Sequence, residues 1–144
     1  MTNRLYSETL ATLAGLPPAN QAAGARSVAD IPFGNQRKIL FTVQVGTPGA
    51  GGTVDFKVQA SPTAGGTYVD IPGAAIVQKI AAGNAQVEVR ADRLNALGLG
   101  NFLKAVLTVA VATTPTAVLV QRGDSRFQPA SDDNDAGMAT PIVI

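Results

Sequence analysis

The run KILFTVQV, residues 38–45, alternates: Ile39, Phe41, Val43 and Val45 fall on one side of an extended chain, Thr42 and Gln44 on the other. The same period of two governs VDFKVQA, residues 54–60, where Val54, Phe56, Val58 and Ala60 are separated by Asp55, Lys57 and Gln59. Successive side chains of a strand point to opposite faces, so each run reads as an antiparallel strand with one face buried and one solvated. That alternation dictates a sheet protein.

Turn signals divide the rest of the chain. The small-residue stretch SPTAGG, residues 61–66, turns the second strand into TYVDI, which Pro72-Gly73 ends, and these two strands are expected to pair. AAIVQKIAA and AQVEVRA flank Gly83-Asn84, a hairpin signal, and DRLNALGLG suits one helical turn closed by glycine. NFLKAVLTVAVA places Leu103, Ala105, Leu107, Val109 and Val111 on a core face, and TTPT reflects it into AVLVQ. About seven strands at this spacing predict an all-β sandwich or barrel. Burial of their alternate apolar residues, at roughly 25 cal/mol per Å², is the main stabilising term.

The two ends read differently. SETLATLAGL suits one or two helical turns capped by Ser7, which Pro17-Pro18 would end, and the next residues show no sustained period. Residues 1–35 are therefore expected to be a disordered leader or, on the preferred reading, an N-terminal arm ordered by a partner, residues 36–128 the sandwich, and residues 129–144 a C-terminal tail. Removal of the arm, on this reading, leaves the sheet signal intact. The tip TPIVI is suited to strand addition on a neighbour. The expected interface residues are Leu13, Leu16, Arg26 and Ile31 of the arm and Ile142, Val143 and Ile144 of the tip.

The residue inventory argues against catalysis. Cysteine, histidine and tryptophan are absent from the 144 residues, which removes disulfides, thiolate and imidazole ligands and the usual proton shuttle near neutral pH. Two carboxylate pairs, Asp55 with Asp70 and Glu88 with Asp92, invite an acid–base reading, but solvated strand faces explain them. Asp132 to Asp135 lack calcium-loop spacing, and GTPGAGG is not followed by the Lys-Ser/Thr of a phosphate loop. No cofactor and no metal are expected, and the chain reads as a non-enzyme. A net charge of +1 is too small for nucleic-acid binding. Residues 1–131 hold eleven basic and seven acidic groups, and the tail holds three aspartates. The N-terminus lacks the continuous apolar core of a secretory signal, and residues 105–120 are too short and too interrupted to cross a bilayer, so no membrane role and synthesis in the cytoplasm are expected. Charged residues make up only 15% of the chain, which points to surface covered in an oligomer or lattice.

The order of elements from Val54 to Gln121 resembles the cement or decoration proteins of tailed-phage capsids. VQASPTAGGTYVDI, AAGNAQVEVRADRL and NFLKAVLTVAVATTPTAVLVQ carry the resemblance. It implies a jelly-roll-like antiparallel β-sandwich on the outer surface of the virion shell. The implied partners are the major capsid protein and further copies of itself, with a trimer favoured over a dimer. A carbohydrate- or host-binding sandwich of a phage tail or fibre is the alternative, and it would need Tyr6 or Tyr68 as an aromatic platform.

Overall fold

The computed structural model describes residues 9–125. Eight strands make two antiparallel sheets: β1 (Leu10–Gln21), β2 (Gly24–Pro32), β3 (Gln36–Val45), β4 (Thr53–Ser61), β5 (Val69–Lys79), β6 (Gly83–Arg90), β7 (Phe102–Ala110) and β8 (Thr114–Ser125). A short helix, α1 (Ala91–Leu97), joins β6 to β7. Sheet A has the order β1-β8-β3-β6 and sheet B the order β2-β7-β4-β5. The pairing is nested: β4 pairs with β5, β3 with β6, β2 with β7 and β1 with β8, as in one long ribbon folded over itself. Two further ladders, β3 with β8 and β4 with β7, close the folded ribbon into sheets.

The alternating residues of β3, β4 and β7 fill the space between the sheets. Ile39, Phe41, Val43, Phe56, Val58, Leu103 and Leu107 are buried there. Phe41 of sheet A and Phe56 of sheet B meet with ring centroids 5.9 Å apart and planes tilted at 48°, a geometry that aromatic pairs favour over a face-to-face sandwich.

Three sequence expectations change. Residues 10–32 are not an arm: they are β1 and β2, the marginal strands of the two sheets. Of SETLATLAGL, expected to form helical turns, Leu10 onward is strand, and Ser7 and Glu8 lie outside the described residues. The physical reason is irregularity. β1 shifts register between Leu13 and Leu16 and again between Leu16 and Ala19, and β2 shifts between Val28 and Ile31. Each shift breaks the period of two. Gly15 makes the first possible, since a Cβ there would lie 2.1 Å from the Val118 carbonyl oxygen. Second, β5 does not stop at Pro72-Gly73. It runs on to Lys79, because a marginal strand tolerates proline and Gly73 takes φ 81°. Third, Gly83-Asn84 and TTPT do not turn hairpins. At both places the chain crosses from sheet B to sheet A, so β5 and β6, like β7 and β8, stand in different sheets. The expected tail, residues 129–144, lies outside the described residues.

Candidate interaction surface

Of the seven expected interface residues, two belong to the sandwich interior. Leu16 and Ile31 are in the core, at 7% and 4% exposure, and Leu13 packs against it half-buried. Arg26, half-buried on β2, donates from Nη2 to the Pro17 carbonyl oxygen at 2.9 Å and so ties the margins of the two sheets together. Ile142, Val143 and Ile144 lie outside the described residues, as do Tyr6 and the Asp132–Asp135 cluster.

The carboxylates are engaged in holding strands. Asp55 accepts from the Gln78 backbone N–H at 2.9 Å. Asp70 pairs with Lys57 at 2.9 Å and accepts from Gln59 Nε2 at 2.7 Å, and these bonds, Lys57 first, hold its carboxyl below the usual range. Asp92 is held low in the same way by Arg90, at 2.7 Å. Asp55 and Asp70 do not converge, since Asp70 stands opposite Gln59, four positions along β4 from Asp55. Among the described residues, no group of three or more His, Cys, Asp or Glu side chains is placed to hold a metal ion.

Tyr68 works as a latch. Its hydroxyl donates to Asp30 Oδ1 at 2.5 Å and accepts from the Asp30 backbone N–H at 3.0 Å, while the Gly65 N–H donates to the same carboxylate at 2.6 Å. Lys104 Nζ stands 5.8 Å from the centre of its ring. The β4–β5 loop is thereby fastened to β2 across the sheet, and Asp30 accepts the strained φ of 56° that this requires. The Tyr68 bond and then the Gly65 bond pull the Asp30 carboxyl below the usual range, and burial, then Asp30, push the Tyr68 hydroxyl up. A carboxyl depressed in the fold stabilises above its ordinary pKa, about 4, and loses that contribution as pH falls through the lower folded value. Asp30→Asn is therefore expected to speed amide exchange at Gly65 near neutral pH. The difference from the native protein should close at acid pH, where Asp30 itself is protonated. An Asp30→Asn effect of the same size at both pH values would contradict the latch.

Charge is segregated. Asp55, Lys57, Asp70 and Lys104 stand on the outer side of sheet B, and Arg37, Lys38, Arg90, Asp92, Arg93 and Asp124 gather at the end where α1 lies. The opposite end is made by four connections, residues 22–23, 46–52, 80–82 and 111–113, none of which contains a charged residue. From it a charge-free strip runs down the outer side of sheet A over β1 and β8. There Ala14, Pro17, Ala117, Leu119 and Gln44 line a shallow groove of about 510 Å³, and a second groove beside Pro115 links it to the loop end.

This surface is built, not merely left over. Gly46 donates to the Pro115 carbonyl at 2.8 Å and Gly49 to that of Thr113 at 3.1 Å, so the long loop lies backbone to backbone on the start of β8. A Cβ on Gly49 would stand 2.8 Å from that of Ala112, which explains the glycine. Val111 sits at φ 70°, costly for a β-branched residue, and is 75% exposed; Ile80 is 71% exposed. No protein-family model matches the chain, and no curated protein matches it. A usable signal for this surface lies in the spacing of charges: residues 9–25, 39–54, 80–87 and 105–121 contain no Asp, Glu, Lys or Arg, and each run begins in or passes through the loop end.

Proposed function

We propose that the protein is a non-enzymatic capsid decoration protein, a jelly-roll sandwich that docks on the outer shell of a tailed phage and bridges neighbouring major capsid proteins. The nested strand pairing supports the jelly-roll reading. The observation that carries the function is the charge-poor surface over the loop end, flanked by Lys79 at the end of β5, together with the charge-free β1–β8 side of sheet A, set against a charged sheet B. A buried interface core is depleted in charge because each desolvated ion must be compensated. A strained, exposed Val111 is unrewarded in the isolated chain and is useful once covered. Many weak contacts on a symmetric shell then act together through avidity. The glycan-binding alternative has less behind it, since the hydroxyl of Tyr68 is bound to Asp30 and its ring lies under Lys104.

Co-sedimentation with empty shells of the major capsid protein tests this reading. Leu119, 41% exposed in the strip, is the place to insert a charge. Leu119→Lys is expected to weaken shell binding by roughly ten-fold or more, the equivalent of about 1.4 kcal/mol for a buried unpaired charge, while Lys57→Ala on sheet B leaves binding unchanged. Equal binding by native protein and Leu119→Lys, or no binding by either, would sink the proposal.

A further inference from the structure

Four strands stand at sheet margins: β1 and β6 in sheet A, β2 and β5 in sheet B. A marginal strand offers unpaired N–H and C=O groups to any other strand, and proteins block such edges with proline, bulges or charge. Three of the four combine proline with register shifts. β1 holds Pro17 and Pro18 and two register shifts. β2 ends on Pro32, shifts register after Val28 and turns Asp30 to φ 56°. β5 contains Pro72 and Gly73, places Gln78 at φ 42° and twice shifts register against β4. β6 differs. It pairs with β3 without a break from Gly83 opposite Val45 to Arg90 opposite Lys38 and contains no proline; its charges are Glu88 on the outer side and Arg90 at its last position.

We infer that β6 seats a second copy of this chain, the two β6 strands pairing antiparallel about a twofold axis so that two four-stranded sheets become one. The choice of occupant rests on the strand's own sequence. A self-pairing strand must match its reverse, inward residues opposite inward and outward opposite outward. Every residue-centred pairing of a regular strand meets this condition, so charge selects the register: centred on Gln86, β6 overlaps its partner from Gly83 to Val89 with no like charges opposed. Ala85 faces the partner's Val87 on the core side, Glu88 faces the partner's Asn84 on the outer side, and Gln86 faces the partner's Gln86 on the axis. Centring on Glu88 would oppose two carboxylates, and centring on Val87 would set them on a diagonal, both repulsive. Centring on Val89 brings Glu88 opposite Arg90 but overlaps the strands only where α1 begins.

The axis stands perpendicular to the joined sheet, so both outer faces of sheet A lie on one side. The dimer therefore offers a doubled sheet A face, with the loop ends pointing in opposite directions. This dimer stands in place of the trimer that the capsid resemblance implies, and it does not depend on shell docking.

The absence of cysteine makes the test clean. Gln86→Cys is expected to give a disulfide-linked dimer on mild oxidation, because directly opposed strand residues hold their Cα atoms about 4.5–5.5 Å apart, within disulfide reach. Glu88→Cys and Ser27→Cys, the latter on the blocked β2, should crosslink at least roughly ten-fold more slowly, their partners being out of reach. Sedimentation of the full native chain should show a concentration-dependent dimer. Gln86→Lys, which opposes two ammonium groups on the axis, should raise its dissociation constant about five-fold. Gln86 is exposed and donates from Nε2 to Thr42 Oγ1 in an exposed hydrogen bond of 3.2 Å, so these variants keep the fold. A chain that sediments as a monomer or a trimer, or that crosslinks through residue 27 as fast as through residue 86, overturns the proposal. None of these readouts involves a shell, so failure here and failure of docking are separately visible.

Discussion

Deletion of residues 1–30 is expected to abolish cooperative folding. The segment supplies β1 and most of β2, and β1 covers the free side of β8, the strand that carries the buried Val118 and Val120. With it go Leu16 from the core and Leu13 and Val28 from its margin. Each such side chain contributes about 2 kcal/mol through burial, before the backbone ladders to β7 and β8 are counted. A domain of this size has only about 5–15 kcal/mol in hand. Thermal or urea unfolding followed by circular dichroism should show a weak sheet signal and no sigmoidal transition. A truncated chain that retains native-like dichroism and a sharp transition would restore residues 1–35 to the status of an arm and remove β1 and β2 from the sandwich.

The contrast between that outcome and the arm expectation shows where sequence reasoning succeeds. β3, β4 and β7 are legible because each keeps its period of two from end to end, burying Ile39, Phe41 and Val43, or Val54, Phe56 and Val58, or Leu103, Ala105 and Leu107. β1 and β2 were hidden by the devices that protect an edge. Pro17, Pro18, Asp30 and the register shifts erase the alternation that would have announced a strand. Strand partners were illegible for a different reason. Alternation tells which face of β6 is buried, and Val87 and Val89 answer that question, but it does not tell whether they lie beside β5 or beside Phe41 and Ile39 of β3. The interaction surface was half visible. Low overall charge pointed to covered surface, but its location required the long uncharged runs to be laid on the topology, which brings their turns to one end. The latch between Asp30 and Tyr68 spans 38 positions and leaves no local trace at all.

Phe41→Ala is expected to destabilise the chain by about 4 kcal/mol, near the middle of the range for removing a buried phenyl ring. The site cannot collapse to fill the space. On sheet A, Phe41 lies in register between Val87 of β6 and Val120 of β8, and across the interior it meets Phe56, itself flanked by Ile76 of β5 and Leu107 of β7. Neighbours on three sides are thus strand residues fixed by ladders, so the cavity persists and the lost contacts are not recovered. Leu40 provides the internal control. One residue earlier in the same strand, it points to the outer side and is only half-buried, so Leu40→Ala should cost less than about 1 kcal/mol. Urea unfolding of the two variants, compared at equal slope, separates the cases. The Phe41–Phe56 contact adds a second demand, because the double variant should lose less than the sum of the single ones by about 1 kcal/mol. Comparable losses at positions 40 and 41 would mean that the face assignment of β3 is wrong. With it would fall the outer, charge-free side of sheet A on which shell docking relies.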